Sequence, residues 1–162
     1  MELMKARFKG HVKLWARDAG KPASKWELVG EIDNLIVDAA IDWIGYALVD
    51  EAAKYDTGIT YCAIGTDSTA PDDEDTTLGS ESARNPITTK SYTPATKTIA
   101  LSTFFAAADC TINMKEVGLF GADATASTDT GEMINHALLN YDNSGGTKDL
   151  TIDIDITLAE GS

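Results

Sequence analysis

The last segment of the chain carries the pattern that most restricts how it can fold. Apolar and polar side chains alternate there without interruption, as Leu150, Ile152, Ile154, Ile156 and Leu158 against Thr151, Asp153, Asp155 and Thr157. A period of two places the two sets on opposite faces of an extended strand. The pattern predicts a strand with one buried and one solvent-facing side, so other elements must cover its apolar face.

The beginning of the chain shows the same alternation. One set comprises Phe8, Gly10, Val12, Leu14 and Ala16, and the other comprises Lys9, His11, Lys13, Trp15 and Arg17. A turn-forming stretch over residues 18–24 follows, and an apolar run resumes over residues 26–32. These features predict an N-terminal β-hairpin.

One segment has a helical period instead. Its apolar residues recur at three- and four-residue spacing, as Ala40, Trp43, Ile44, Ala47 and Leu48. That spacing forms one stripe along a helix. Asp38 is predicted to cap the first turn, because a short carboxylate accepts the free amides there. We expect a helix of about four turns, which Gly58 helps to end, and we expect it to pack on a sheet through this stripe.

The rest of the chain is punctuated by short strand-like runs. They cover residues 59–65, 87–93, 96–105, 111–120 and 132–139. About seven or eight short strands separated by turn signals are typical of a sandwich or barrel. The sequence therefore predicts a mainly β fold, an antiparallel β-sandwich of the jelly-roll-like kind with one packed α-helix. We predict a single domain over residues 1–162, in which residues 1–32 form a basic β-hairpin or arm.

The charge is large and unevenly distributed. The formal net charge is −13, with 26 acidic and 13 basic residues. Residues 1–26 hold seven basic and two acidic residues, whereas the remainder holds six basic and 24 acidic ones. Nucleic-acid affinity depends on Lys and Arg neutralising phosphates, so this balance argues against a nucleic-acid partner. The basic segment fits two interpretations: docking on an acidic surface of a neighbouring subunit, or a solvated strand that its lysines keep soluble.

The predicted partner-contact residues lie in that basic segment. They are Lys5, Arg7, Lys9, Lys13, Trp15 and Arg17. Tryptophan is enriched at binding hot spots, and Trp15 falls on the polar face of the first strand among basic residues. It is either a contact residue or covered by Trp26 from the second strand.

The sequence contains no recognisable catalytic arrangement. His11 and His136 have no nucleophile or orienting carboxylate placed beside them by a local motif, and no glycine-rich phosphate loop is present. We therefore predict no enzymatic activity and no cofactor. The acidic run over residues 67–75 fits either a solvated, mobile loop or a Ca²⁺ site; we predict no metal, because its spacing departs from that of an EF-hand loop. Cys62 and Cys110 are predicted to be free, buried thiols.

Membrane association is not expected either. No stretch approaches the roughly 18 apolar residues of a membrane span, and the first residues lack the apolar run of a secretory signal. The sequence therefore predicts a protein made in a reducing cytoplasm, with no membrane partner.

Several motifs follow one another in a fixed order between residues 28 and 158. They are Asn34-Leu-Ile-Val37 before the helix, Tyr61-Cys-Ala-Ile-Gly-Thr66 before the acidic loop, residues 75–84 after that loop, Glu116-Val-Gly-Leu-Phe120, and the terminal alternating strand. This series resembles a group of virion proteins of tailed bacteriophages. The resemblance implies a structural part of the virion, and it carries over no catalytic residue.

The resemblance extends both to capsid decoration (cement) proteins and to tail-fibre or baseplate modules. A single domain without a coiled coil or repeat that could build a fibre shaft favours decoration. We expect a protein made in the host cytoplasm that lies on the capsid surface as a homotrimer and bridges major capsid protein subunits. The alternative is a tail-fibre or baseplate module with a structural role or with a carbohydrate- or receptor-binding role, for which Tyr92, Tyr141 or Trp15 would form the aromatic platform.

Overall fold

The secondary structure is dominated by strands. A computed structural model describes residues 6–49 and 53–160. Its strands are β1 (Ala6–Asp18), β2 (Glu27–Ile36), β3 (Ile59–Gly65), β4 (Glu81–Pro86), β5 (Thr89–Thr93), β6 (Thr98–Phe105), β7 (Asn113–Gly121), β8 (Glu132–Asp142) and β9 (Lys148–Glu160). Within these residues there is one α-helix, α1 (Asp38–Leu48), between β2 and β3. Two short 3-10 helices cover Ala53–Thr57 and Ala107–Asp109.

The strands form one antiparallel sheet that curls into a half-barrel. Their order across the sheet is β4-β3-β7-β8-β2-β1-β9-β6-β5. β2 joins the two halves, because it pairs with β1 along residues 27–34 but with β8 only through Leu35 and Ile36. We call strands β2, β1, β9, β6 and β5 the β1 half, and strands β8, β7, β3 and β4 the β3 half.

The two edge strands, β4 and β5, are consecutive in the chain. In the short segment between them, the Ile87 amide donates a hydrogen bond to the Thr60 carbonyl on β3 (2.9 Å). The Thr88 amide donates to the Ser102 carbonyl on β6 (2.8 Å). One segment therefore continues the pairing of β4 with β3 and of β5 with β6, and it links the two ends of the sheet.

The main core lies on the concave face of the half-barrel. The alternating residues of the first and last strands are at its centre, since Val12, Leu14, Ile152 and Ile154 are all fully buried or nearly so. β1 and β9 pair along their whole length, with Val12 opposite Ile154 and Leu14 opposite Ile152. Both strand predictions are confirmed, as is the N-terminal hairpin of β1 and β2.

A second, smaller apolar cluster lies on the convex face of the β3 half. Its buried members are Val37, Ala63, Leu78, Phe120 and Met133. Leu78 belongs to the acidic loop, residues 66–80, which folds back over the sheet. Gly118 on β7 makes room for it, because a Cβ atom at that position would lie 3.1 Å from Leu78 Cδ2. The loop thus supplies an apolar side chain that covers this half of the sheet.

The predicted fold class is confirmed in outline. The protein is mainly β and antiparallel, with one helix packed on the sheet. The sandwich and its jelly-roll-like topology are not confirmed, because the described strands belong to one continuous sheet. Cys62 and Cys110 are free and buried, as predicted, and burial raises the pKa of the Cys62 thiol to about 12 and that of Cys110 to about 11.

The helix differs from its prediction in two ways. Its N-cap is Val37, and no side-chain hydrogen bond caps the first turn, so the capping role predicted for Asp38 is wrong. The α-helix also ends at Leu48, well before Gly58. No helix in the described ranges is long and apolar enough to cross a membrane.

β4 is the strand that the sequence does not predict. Its residues, Glu-Ser-Ala-Arg-Asn-Pro, show no apolar alternation. It is nevertheless an edge strand that pairs with β3 through residues 81–86. An ion pair within β4, described below, takes the place of apolar side chains in fixing it to the neighbouring loop.

Candidate functional site

The predicted contact residues lie along β1, which is central in the sheet. Lys5 lies outside the described residues, and the side chain of Arg7 is likewise not described. The others, Lys9, Lys13, Trp15 and Arg17, lie on the convex face of the β1 half. Because β1 pairs with β9 on one side and β2 on the other, this segment is an internal part of the sheet.

The positive charge of β1 is largely balanced by its neighbours in the sheet. His11 Nδ1 lies 2.8 Å from Asp33 Oδ1 on β2. Arg17 Nε donates a hydrogen bond to Asp149 Oδ2 on β9 at 3.4 Å. Lys13 has acidic residues opposite it on both neighbouring strands. The basic residues are concentrated near the start of the sequence, but in the folded protein they lie among acidic residues of β2 and β9 and do not form a strong basic patch.

The two ends of β1 lead to two different surfaces. Phe8 lies at the end where α1 follows β2, and Trp15 lies towards the other end. Seven residues separate them, which corresponds to about 23 Å in a strand that rises about 3.3 Å per residue. Of the described members of the predicted contact set, Trp15 lines one of the two recesses at these ends, and none lines the other.

An apolar recess of about 200 Å³ opens between α1 and the end of the half-barrel. Its lining includes Phe8, Ile36, Trp43, Ile44, Ile99 and Leu158. Trp43 is buried, as the helical stripe predicts, but Ile44 is 41% exposed and Leu48 is 81% exposed. Only part of the predicted stripe packs on the sheet. The remainder, with Ile41 and Val49, forms an exposed apolar surface beside the recess; we call the recess and this surface together the apolar end.

An aromatic recess of about 290 Å³ lies on the convex face, towards the opposite end of β1. It is lined by Trp15, Trp26, Thr151 and Asp153. Trp26 packs edge-to-face against Phe104, with ring centroids 6.4 Å apart. The guanidinium carbon of Arg17 lies 4.6 Å from the centroid of Trp26. Trp15 is half-buried. Trp26 lies beside it, as one sequence interpretation expects, and the side chain also lines an open recess, where a contact residue could lie.

A third arrangement ties the acidic loop to the β3 half. Glu116 on β7 is only 1% exposed, and its carboxylate accepts hydrogen bonds from three loop amides. The donors are Asp67 N at 3.1 Å, Gly79 N at 2.9 Å and Ser80 N at 2.8 Å. Such charge-assisted bonds are stronger than neutral ones. The loop is thereby anchored at both of its ends by one buried carboxylate.

His136 on β8 completes this anchor. Its Nδ1 lies 2.7 Å from Asp75 Oδ2, and its Nε2 lies 3.1 Å from Glu116 Oε2. Each ring nitrogen of His136 is therefore within hydrogen-bonding distance of a carboxylate oxygen. With both ring nitrogens engaged, His136 is not arranged to take a proton from an external nucleophile. We call Asp75, His136 and Glu116 the loop anchor.

The acidic residues of the loop are used within the loop itself. Asp67 Oδ1 accepts hydrogen bonds from the amides of Ser68 (2.7 Å) and Thr69 (3.2 Å). Asp72 Oδ1 accepts one from the Glu74 amide (3.0 Å). Among the described residues, no group of three His, Cys, Asp or Glu side chains is arranged to hold a metal ion. The carboxylates therefore stabilise turns, an arrangement that neither sequence interpretation of this loop includes.

A buried ion pair fixes the neighbouring loop, residues 122–131, to β4. Arg84 and Glu81 form a two-pronged contact in which Nε lies 2.5 Å from Oε1 and Nη2 lies 2.7 Å from Oε2. Both side chains are 1% exposed. Arg84 Nη1 also donates to the carbonyls of Thr125 (3.1 Å) and Thr130 (2.9 Å).

Glu116, His136 and Arg84 are absent from the predicted contact set. Two of them lie in motifs that carry the phage resemblance, since Glu116 begins Glu-Val-Gly-Leu-Phe and Arg84 ends the motif over residues 75–84. Their roles in the structure are to hold loops against the sheet. The motifs therefore mark positions that stabilise the fold, and the exposed surfaces are found elsewhere.

The loop anchor makes stability depend on pH through Asp75. Partial burial raises the pKa of this carboxyl, but hydrogen bonds from the Asp72 amide and from His136 outweigh it, and the pKa lies below its ordinary value. A carboxyl whose pKa is lowered by folding contributes stability above its ordinary pKa, and this contribution is lost as the pH falls through the folded value. We expect the unfolding temperature to drop as the pH falls below about 4.

This drop is expected to be smaller in Asp75→Asn, measured by thermal unfolding at a series of pH values. Asp155→Asn is the matched control, because Asp155 is an exposed carboxylate on β9, and it should follow the wild type. The same acid-induced drop in all three proteins would contradict the role given to Asp75.

Comparison with known proteins adds no relative: no family model, curated protein or solved structure matches this chain.

Proposed function

We propose that the protein is a capsid decoration (cement) protein of a tailed bacteriophage. In this role it binds the outer capsid surface and stabilises the shell by bridging major capsid protein subunits, and it does so as a homotrimer. The support from the sequence is the ordered series of motifs that resembles virion proteins. The observation that carries the proposal is the apolar end, which is a surface suited to contact with another protein.

The apolar end has the composition of a protein-binding surface. Soluble proteins seldom leave several large apolar side chains exposed beside an apolar cavity, and such patches mark interaction sites. Leu48, Val49 and Ile41 are each more than half exposed. Burying them against a partner is favourable by roughly 25 cal/mol per Å² of apolar area.

The remainder of the fold suits a mechanical role. The loop anchor and the Arg84–Glu81 pair hold both loops of the β3 half in place, so this half of the fold has little conformational entropy to lose on binding. The two halves of the sheet enclose one core, and we propose that they correspond to the two layers of a jelly-roll-like sandwich. Rigid copies repeated over a shell multiply the effect of each contact.

Replacing Ile44 and Leu48 together with aspartate is expected to weaken capsid binding at least about tenfold, or roughly 1.4 kcal/mol. The physical reason is that two carboxylates would lose their hydration in an apolar contact. Binding is measured by co-sedimentation with expanded capsids that lack the protein, and light scattering on the free 17.3 kDa chain gives the number of copies per oligomer.

Ala23→Asp is the control for this experiment, because it also adds a carboxylate but at an exposed position in the turn between β1 and β2, at the opposite end of β1 from Phe8. Saturable binding of the wild type and of this control, but not of the double variant, supports the proposal. A stable oligomer that never binds capsids would contradict it.

A tail-fibre or baseplate module is the second candidate, and the aromatic recess favours it. Of the three predicted platform residues, Tyr92 is exposed, Tyr141 is half-buried against the core and Trp15 lines the recess. Failure to bind capsids would direct the same protein to binding tests with host cells, where adsorption by the purified chain would support the tail location.

A further inference from the structure

We propose that the aromatic recess binds one pyranose ring of a neutral glycan. The site consists of Trp15 on β1, Trp26 just before β2, and Thr151 and Asp153 on β9. This inference goes beyond the proposed function, because the recess lies about 23 Å from the apolar end along β1 and shares no residue with it.

The recess combines the two kinds of surface that a sugar presents. A pyranose has an apolar face of C–H groups and a rim of hydroxyls. Indole rings offer large, rigid apolar faces, and the carboxylate of Asp153 and the hydroxyl of Thr151 can pair with sugar hydroxyls. Ligand sites generally consist of an apolar lining with a few polar groups that set orientation. The recess has the same kind of lining, with two indole rings as the apolar part and Thr151 and Asp153 as the polar groups.

The register of the sheet places these groups within reach of a single ring. Trp15 lies opposite Thr151 on β9, and Thr151 lies opposite Phe104 on β6. Asp153 is two residues further along the same face of β9, which is about 7 Å in a strand. The recess volume of about 290 Å³ is at the lower end of the range of about 300–1,000 Å³ for small-molecule sites. A monosaccharide unit fits this size better than a larger ligand.

The indole N–H of Trp15 is a hydrogen-bond donor that is not satisfied within the described residues. Its Nε1 is buried and has no hydrogen-bond acceptor among the described residues. A buried donor without an acceptor costs free energy. Because this N–H is shielded from solvent, a ligand hydroxyl could accept a hydrogen bond from it only if the Trp15 side chain turned towards the recess on binding.

The charges around the recess select a neutral ligand. Asp153 is the charged group in its lining, and Lys13 lies opposite it on β1, so the two charges oppose each other and leave no strong field of either sign at the recess. Arg17 lies over the Trp26 ring, but its guanidinium is already paired with Asp149. Recognition of an acidic sugar would require a basic group free to face the ligand, and the described lining offers Asp153 instead.

The test uses the indole N–H signals of the three tryptophans in the NMR spectrum of the full chain. The probes are glucose, galactose and N-acetylglucosamine, titrated separately. We expect the Trp15 and Trp26 signals to shift saturably with at least one probe, with a dissociation constant of the order of 1 mM. Trp43 is the internal control, because its Nε1 donates to the Tyr55 carbonyl inside the protein (2.9 Å), and its signal should not move.

Two variants make the test specific. Trp26→Ala and Asp153→Asn are each expected to weaken binding of that probe about tenfold or more, whereas Tyr92→Ser leaves it unchanged. No saturable shift with any of the three probes, or equal shifts of all three tryptophans, would overturn the proposal. Capsid co-sedimentation depends on the apolar end, so its outcome and that of this titration can fail separately.

Discussion

Replacing Glu116 with alanine is expected to lower the free energy of unfolding by about 3–5 kcal/mol. The change removes the acceptor for three loop amides and leaves His136 Nε2 buried without its partner. Deleting one member of a buried polar network is this costly because the groups left behind stay desolvated and unpaired. Urea denaturation followed by tryptophan fluorescence measures the change.

Two further variants define what Glu116 contributes. Glu116→Gln keeps a carbonyl oxygen that can accept a hydrogen bond, so its loss should be smaller than that of the alanine variant. Glu31→Ala removes a carboxylate that also faces a histidine, His11, but at the surface, and it should change stability by no more than about 0.5 kcal/mol. If Glu116→Ala behaved like Glu31→Ala, the loop anchor would not stabilise the fold.

The Arg84–Glu81 pair should show a different pattern, in which two changes together cost less than one. Arg84→Met alone is expected to destabilise the protein by about 3–5 kcal/mol, since Glu81 is left buried and unpaired. The double variant Arg84→Met with Glu81→Leu removes both charges, and it should recover part of that loss. Thermal or urea unfolding of the single and double variants gives the coupling between the two residues.

Lys54→Met supplies the comparison for this pair. Lys54 contacts Glu132 at 2.6 Å, but both side chains are partly exposed, so the loss should be about 0–1 kcal/mol. A double variant at positions 81 and 84 that is no more stable than Arg84→Met would show that the apolar pair cannot replace the ionic one. Hydrogen exchange at Asp129, whose amide donates to Glu81 Oε2 (3.2 Å), would show whether the adjacent loop opens.

The elements that could be predicted are those set by patterns among neighbouring residues, and the others depend on contacts between residues far apart in the chain. The alternation in β1 and β9 spans many residues and has one explanation, a strand with one buried face, so both strands were predictable. β4 has no such pattern, and its pairing depends on Arg84, whose partners include residues more than 40 positions away. Helix α1 was predictable in type, but its exposed apolar side was not, because periodicity identifies an apolar stripe without showing what covers it.

The candidate sites show the same division. Trp15 stood out in the sequence as an aromatic residue on a polar strand face, and it does line a recess. Its companion Thr151 comes from the far end of the chain, and only strand pairing brings the two together. His136 lacked partners in the local sequence; Asp75 and Glu116 are 61 and 20 residues away along the chain.

The sequence by itself determined the class of fold, the N-terminal hairpin, the presence of the helix, and the buried faces of the first and last strands, β1 and β9. These depend on the period of apolar residues, a property that neighbours along the chain define. The tertiary structure decided how nine strands share one sheet, how the charges of β1 are balanced by β2 and β9, and which loops are held by Glu116 and Arg84. Those features depend on distances between residues far apart in sequence, and only the folded chain specifies such distances.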